Sequence, residues 1–242
     1  MVMILSPNYI FYLMATILQI ETATQVCSAA ISKDGKTIAL KELMASNIHA
    51  GSLTLFIQEA MDIAGISFAD LDAVAVSKGP GSYTGLRIGV STAKGLCFAL
   101  DKPLIAINTL QMMAAAVAQL EPQYDGRICP MIDARRMEVF TAVYDRKLET
   151  LMHTNAKIID AQSFSEELNT GPLLFIGDGA AKCKEVLQHK NAVFSDANFN
   201  SAAHMSMLAY EAFSKKQFED VAYFEPFYLK DFVFTTPKKK IV

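Results

Sequence analysis

The chain has 242 residues, of which 52% are hydrophobic and 19% are charged, so it can bury a substantial core and is not intrinsically disordered. Its formal net charge of −3 argues against a dedicated nucleic-acid-binding protein. The only basic run, Lys238–Lys240, is typical of a solvated terminus.

The first residues, Met1–Leu13, are apolar but do not resemble a targeting signal. Pro7 and Asn8 interrupt them, no basic residue precedes them, and they are too few to span a bilayer. We therefore predict no membrane association. We expect Met14 to be the natural start, and residues 1–14 to be an extension that precedes the folded part of the chain.

Three antiparallel strands and a helix are predicted next. The strands are Thr16–Ile20, Val26–Ser32 and Lys36–Leu43. Asp34 and Gly35 form a strong hairpin signal between the last two strands. Apolar residues at helical spacing predict a helix over His49–Ala64, which Gly65 ends.

A short apolar strand, Ala73–Val76, then runs into a glycine turn and a helix, Ser82–Leu100. This order of elements directs backbone N–H groups toward an anion. The turn matches neither the P-loop nor the Rossmann fingerprint, because three residues separate Gly81 from Gly85. We therefore predict an anion-binding turn of non-standard spacing.

The same helix carries a small-residue face, which consists of Gly85, Gly89, Ala93 and Cys97. Glycine inside a helix costs about 1 kcal/mol relative to alanine, so close packing should offset it. The face could pack on the protein's own sheet or on a partner, and the sequence leaves both open. Candidates for a partner interface or anion-binding turn are Gly79, Gly81, Ser82, Tyr83, Thr84, Gly85, Arg87, Gly89 and Ala93.

The second half repeats the pattern of the first. After the strand Pro103–Ile107 and the helix Leu110–Leu120, a turn-rich break at Glu121–Gly126 marks a boundary. Further strands are predicted at Arg127–Ile132, Glu138–Tyr144, Ala156–Ile159 and Leu173–Ile176. A second glycine turn, Gly177–Ala180, is predicted to open a helix that reaches Leu187. A last helix, Ser201–Lys215, precedes an aromatic tail, Tyr223–Leu229, which should dock on the body.

Strand, glycine turn and helix thus occur once in each half. The duplication predicts an α/β fold of two ribonuclease-H-like (actin- and sugar-kinase-like) lobes, with mixed sheets flanked by helices. We expect the first lobe to span residues 15–120, and the second lobe with its C-terminal tail to span residues 121–242.

Four segments in order resemble the TsaB (YeaZ) family of bacterial proteins. They are Ile20–Thr24, Gly79–Gly89, Asp133–Phe140 and Gly177–Ala180. The likeness covers Ala15 to about Leu229, and its specific part is the long glycine signature, Gly79–Gly89. This chain departs from the family pattern at Glu21, where family members usually carry an aspartate.

The resemblance implies a non-catalytic subunit. Family members pair with the catalytic subunit TsaD and, with the ATPase TsaE, transfer a threonylcarbamoyl group from its AMP ester to N6 of an adenosine beside the tRNA anticodon. The family pairs through helices of the first lobe, here His49–Ala64 and Ser82–Leu100, and can self-pair when the partner is missing. The resemblance therefore implies that the first lobe binds a TsaD-like partner and that a TsaE-like ATPase joins the complex. It also implies that this chain meets tRNA only through the complex and that it needs no cofactor.

The residues themselves point away from an enzyme. The segment Ala106–Ala115, where the catalytic relatives carry paired histidine ligands, has no His, Cys, Asp or Glu, and no two of the four histidines have metal-ligand spacing. Glu21 would intrude where actin-like ATPases organise metal-bound nucleotide. An actin-like ATP-dependent phosphotransferase is the alternative, supported by the two glycine turns, and a metalloprotease is a third.

Two further groups of residues bear on function: the charged residues after the strand Arg127–Ile132, and the cysteines. Asp133, Arg135 and Arg136 follow a strand end, where ligand sites gather in α/β folds, although a structural ion pair among them is the favoured interpretation. The chain has four cysteines and no C-x-x-C pair, and three of the cysteines lie in apolar patterns. Reduced, buried thiols are the favoured interpretation, so we expect a cytoplasmic protein.

Overall fold

The computed structural model describes residues 14–45 and 49–230, without the side chains of residues 49 and 50. The predictions for Met1–Leu13 and Lys238–Lys240 lie outside the described residues. No helix among the described residues is both long and apolar enough to cross a lipid bilayer.

The first sheet has five strands in the order β3-β2-β1-β4-β5. Its strands are β1 (Thr16–Glu21), β2 (Val26–Lys33), β3 (Lys36–Met44), β4 (Ala73–Gly79) and β5 (Leu104–Asn108). The first three form the antiparallel meander that the Asp34-Gly35 turn predicted. β4 and β5 add in parallel beside β1, so β1, β4 and β5 end at one edge of the sheet.

The second sheet repeats this connectivity. Its strands are β6 (Arg127–Asp133), β7 (Glu138–Tyr144), β8 (Thr150–Ile158), β9 (Leu173–Ile176) and β10 (Ala192–Phe194), in the order β10-β9-β6-β7-β8. Again the first three are antiparallel, and the last two add in parallel beside the first. The predicted duplication and the two mixed sheets are therefore confirmed.

The α-helices of the described residues are α1 (His49–Ala64), α2 (Tyr83–Leu100), α3 (Thr109–Leu120), α4 (Ser165–Thr170) and α5 (Ser206–Ser214). Four of them cover the first sheet on both faces, whereas Leu168 of α4 packs on the second sheet. α1 and α2 pack side by side on one face, and α3 and α5 lie on the other. α3 also contacts β6 and β7, so it lies between the two sheets.

Three apolar clusters follow from these layers. One lies under α1 and α2, and includes Leu53, Phe56 and Val90. A second joins the two sheets through α3 and α5. The third covers the far face of the second sheet. The first sheet therefore has buried side chains on both faces, so β1 and β2 are almost continuously buried.

The predicted helix from the second glycine turn to Leu187 is wrong. Only Ala181–Cys183 is helical there, as a short 3-10 turn. The reason is visible in the backbone: the N–H groups of Cys183 and Val186 bond three residues back rather than four. The last helix also begins as a 3-10 turn, Ala202–Met205, before α5.

The chain after residue 201 returns to the first sheet. α5 contacts β1, β3 and β5 of the first sheet. The range predicted for the second lobe, residues 121–242, stays a prediction. The aromatic tail docks on the body, as predicted. The Phe227 N–H donates to the Lys78 carbonyl at 2.7 Å, and the Lys94 Nζ donates to the Ala222 and Phe224 carbonyls at 3.2 and 2.9 Å.

Candidate functional site

The glycine turn joins β4 to α2 at the carboxyl edge of the first sheet. β4 ends at Gly79, whose φ of +113° lies in the region that favours glycine. Ser82 caps α2, because its Oγ accepts the Gly85 N–H at 3.3 Å. This is the capping role that a serine at a helix start favours.

The small-residue face packs on the protein's own chain. A Cβ at Gly85 would overlap the Thr22 carbonyl oxygen, and a Cβ at Gly89 would overlap Thr22 Oγ1. The Thr22 hydroxyl in turn donates to the Gly85 carbonyl at 2.8 Å. Ala93 and Cys97 continue the face, and both are buried. Of the two alternatives that the sequence left open, packing within the chain therefore accounts for these residues.

Backbone donors of the turn are also engaged internally. The Ser82 N–H donates to the Ala23 carbonyl at 2.6 Å, and the Leu86 N–H donates to the Ser82 carbonyl at 2.8 Å. A Cβ at Gly81 would overlap Ala23 as well. The turn between β1 and β2 thus fills the space beside the glycine turn. Anion binding at this turn stays a prediction. The turn already forms backbone hydrogen bonds within the chain.

Glu21 is the acidic group of this region, at the end of β1. Its side chain is fully buried, and its Oε1 accepts the Ala23 N–H at 2.5 Å. Burial raises the pKa of Glu21 to about 7, although the Ala23 N–H and the Ser77 hydroxyl lower it in part. Neither Glu21 Oε2 nor Ser77 Oγ has a partner at hydrogen-bonding geometry among the described residues. This carboxyl group is therefore enclosed by protein rather than presented to a ligand.

The exposed part of the candidate set lies at the start of α2. Ser82, Thr84 and Arg87 are exposed, and the Arg87 guanidinium lies 4.8 Å from the centre of the Tyr83 ring. Tyr228 of the tail packs on Tyr83, with ring centres 4.7 Å apart. The structure thus separates the nine predicted residues into a buried set of small residues and a set that is exposed or half-buried and that the tail partly covers. The buried set is Gly79, Gly85, Gly89 and Ala93.

The outer face of α1 and α2 is the side of these helices that points away from the sheet. It exposes Leu55, Ile63 and Phe98, at 56%, 60% and 86% of their surface. It also contains Gly51 and Gly95, and a Cβ at either residue would meet nothing within 4 Å. Unlike Gly85, these helical glycines have no explanation among the described contacts. Sequence spacing drew attention to the opposite face of α2, and so missed this one.

The second glycine turn lies at the corresponding edge of the second sheet. Gly177 has a φ of +95°, and Asp178 Oδ1 accepts the Asp133 N–H at 3.0 Å. A cavity of about 210 Å³ beside it is lined by Gly177, Asp178, Lys184 and the segment 194–198, among others. The ion pair of Asp133 is made with Lys182, not with Arg135 or Arg136. Lys182 could not be found from sequence, because it lies 49 positions away.

Metal ligands do not converge within the described part of the chain: no group of three or more His, Cys, Asp or Glu residues is arranged to hold an ion. All four cysteines are free and buried. Burial raises the pKa of Cys27 and Cys97 to about 11 in each case, so both thiols are poor nucleophiles at neutral pH.

Two sheets of identical connectivity, each with a glycine turn after its fourth strand, define a two-lobed protein of the actin- and sugar-kinase-like class. A sequence-family model described as "TsaD: tRNA N6-adenosine threonylcarbamoyltransferase" matches residues 43–238. The chain is 30% identical to the tRNA threonylcarbamoyladenosine biosynthesis protein TsaB of Escherichia coli over 221 residues, which cover 89% of this chain and 94% of that protein. It belongs to the TsaB family.

Two further comparisons agree with this assignment. The solved structure titled "YeaZ from Pseudomonas aeruginosa" superposes with a TM-score of 0.77 at 25% identity, over 89% of this chain and 100% of that one. The tRNA N6-adenosine threonylcarbamoyltransferase of Geobacillus thermodenitrificans is 39% identical over 108 residues, which cover 38% of this chain and 32% of that enzyme. The alignment with this one transferase therefore covers less than half of each chain.

Proposed function

We propose that this chain is the non-catalytic subunit that pairs with a TsaD-like catalytic subunit in the synthesis of threonylcarbamoyladenosine in tRNA. The relatives that match nearly the whole chain carry the name of that biosynthesis. A TsaE-like ATPase completes the proposed complex, and a homodimer forms when the partner is absent. The site of action is cytoplasmic, where tRNA is modified.

The enclosed carboxyl edge of the first sheet supports a non-catalytic role. Ligands of open α/β sheets bind outside the carboxyl ends of the strands. In this chain Glu21 is buried at that edge, and the β1–β2 turn abuts the glycine turn through Thr22 and Ala23. A phosphate would have to displace this packing. The residues that resemble nucleotide-binding apparatus therefore serve the fold.

The observation that carries the pairing proposal is the outer face of α1 and α2. Phe98 exposes 86% of its surface on a helix whose other face is fully packed. Large aromatic side chains at this exposure are typical of interface anchors, and small residues beside them permit close approach of a partner helix. Gly95 lies one turn before Phe98 and provides such a position. A partner with an apolar helical face of its own fits this surface.

Replacing Phe98 by aspartate tests the pairing. We expect at least a thirtyfold loss of affinity for the TsaD-like subunit, since truncating an interface anchor costs about 2 kcal/mol or more. The measurement is isothermal titration calorimetry of the purified subunits. Leu151→Asp is the matched control, because Leu151 is also exposed but lies on the edge strand β8 of the second sheet. Equal affinities for the Phe98 variant and the wild type would contradict pairing through α2.

A further inference from the structure

The hairpin between β6 and β7 has an unusual backbone for its sequence. Arg135 and Arg136 are consecutive, and their φ values of +70° and +50° both lie in the left-handed region. Asparagine and glycine adopt this conformation more readily, whereas a long side chain is disfavoured there. Both arginines are exposed, so neither is retained to fill the core. Neither side chain therefore has a role in the core, and both are accessible to a partner.

The charges of these arginines are not offset within the described residues. The two carboxylates at the base of the hairpin are already paired with lysines: Asp133 with Lys182, and Glu138 with Lys230. Neither arginine takes part in an ion pair in the described ranges. The two exposed guanidinium groups thus lie beside two ion pairs whose charges cancel.

Charged residues of the second glycine turn and the segment after it also bear on the hairpin. Asp178 lies beside it, and its Oδ1 accepts the Asp133 N–H. Lys184 follows on the same segment as Lys182 and is exposed. The exposed Glu185 follows Lys184, so this segment adds no net positive charge, and the basic character of the surface comes from Arg135 and Arg136. We call the exposed pair Arg135 and Arg136 the hairpin basic surface.

We propose that the hairpin basic surface binds phosphate groups of the RNA backbone, and that it contacts the tRNA when this chain is assembled with its TsaD-like partner. Guanidinium groups donate two parallel hydrogen bonds to a phosphate, and such contacts position a nucleic acid without reading its sequence. The inference rests on the proposed function, since tRNA is the substrate of that complex. The contact is a secondary one, because the chain as a whole carries a net charge of −3.

The test is tRNA binding by the assembled complex at several salt concentrations. The probe is an unmodified tRNA transcript, and the readout is fluorescence anisotropy. The double variant Arg135→Gln and Arg136→Gln is expected to bind about tenfold more weakly, and the slope of log K against log salt should fall by about 1 to 2. The matched control is Arg146→Gln with Lys147→Gln, which removes the same charge from the hairpin at the other end of β7. It should bind like the wild type.

A glycine variant separates recognition from folding. Arg136→Gly relaxes the backbone at φ +50°, so its melting temperature should rise while its affinity for tRNA falls. A lower melting temperature with unchanged tRNA affinity would show that the arginine is structural, and would overturn the proposal. Equal tRNA affinities of the Arg135/Arg136 variant and its control would also overturn it.

Two more outcomes keep this inference distinct from the proposed function. The Arg135/Arg136 variant should still bind the TsaD-like subunit with wild-type affinity. If the variant loses tRNA binding because it no longer pairs with that subunit, the proposed contact between the hairpin and RNA is contradicted. Millimolar ATP is the second probe. ATP that binds the wild-type chain, but not the variant, would assign the surface to a free nucleotide and overturn an RNA contact. If the wild type fails to pair at all, the proposed function fails instead.

Discussion

Replacing Gly85 by alanine is expected to lower the free energy of unfolding by about 3 kcal/mol or more. At this position the backbone of α2 lies directly against the backbone of the β1–β2 turn. The added Cβ would overlap the Thr22 carbonyl oxygen, and no side chain can rotate away to relieve that contact. The measurement is urea denaturation followed by circular dichroism at 222 nm. The matched control is Gly95→Ala on the same helix, where a Cβ would meet nothing within 4 Å.

The control should change stability in the opposite direction. Alanine is a better helix former than glycine, so Gly95→Ala should raise the free energy of unfolding by about 1 kcal/mol. If a partner helix approaches Gly95 closely, the same substitution should weaken binding of the TsaD-like subunit. A Gly85→Ala protein with wild-type stability would contradict the packing of α2 on the β1–β2 turn.

Glutamine at position 21 is expected to remove a pH dependence of stability worth about 3 kcal/mol. The folded chain holds the pKa of Glu21 at about 7, against an ordinary value of 4.5. Between these pH values the folded state retains a proton that the unfolded state has lost. The free energy of unfolding therefore falls as the pH rises from about 4.5 to 7, and stays low above that range.

The Glu21→Gln variant keeps the shape of the carboxyl group without its charge. Its amide oxygen can accept the Ala23 N–H, and its amide nitrogen can donate to Ser77 Oγ, which has no partner in the described structure. At pH 8 the variant should be more stable than the wild type by about 3 kcal/mol, and at pH 4 the two should be alike. Denaturation curves at both values check this, with the exposed Glu149→Gln as control. A variant less stable than the wild type at pH 8 would refute it.

Local elements were predictable where the sequence alone determines them. α1 runs over His49–Ala64, as the apolar spacing and Gly65 predicted. Ser82 caps α2, and the Asp34-Gly35 turn joins β2 to β3. Each of these signals lies within a few residues of the structure that it determines. The repeated order of elements was sufficient to predict two lobes.

Long-range contacts were not predictable in the same way. The small-residue face indicated close approach, but not that the neighbour would be Thr22, 63 positions before Gly85. The helix predicted after the second glycine turn failed because the N–H groups of Cys183, Lys184 and Val186 bond three residues back, although the apolar residues have helical spacing. The lysine partners of Asp133 and Glu138 come from distant segments, so spacing could not identify them.

The central claim is that this chain acts by assembly rather than by chemistry of its own. The most direct measurement is the yield of threonylcarbamoyladenosine in unmodified tRNA, supplied with the threonylcarbamoyl-AMP ester and ATP. The account predicts no product from this chain alone, product from the chain with its TsaD-like and TsaE-like partners, and a loss of product when this chain is omitted or carries Phe98→Asp. Modification of tRNA by the isolated chain, or full yield without it, would contradict the account.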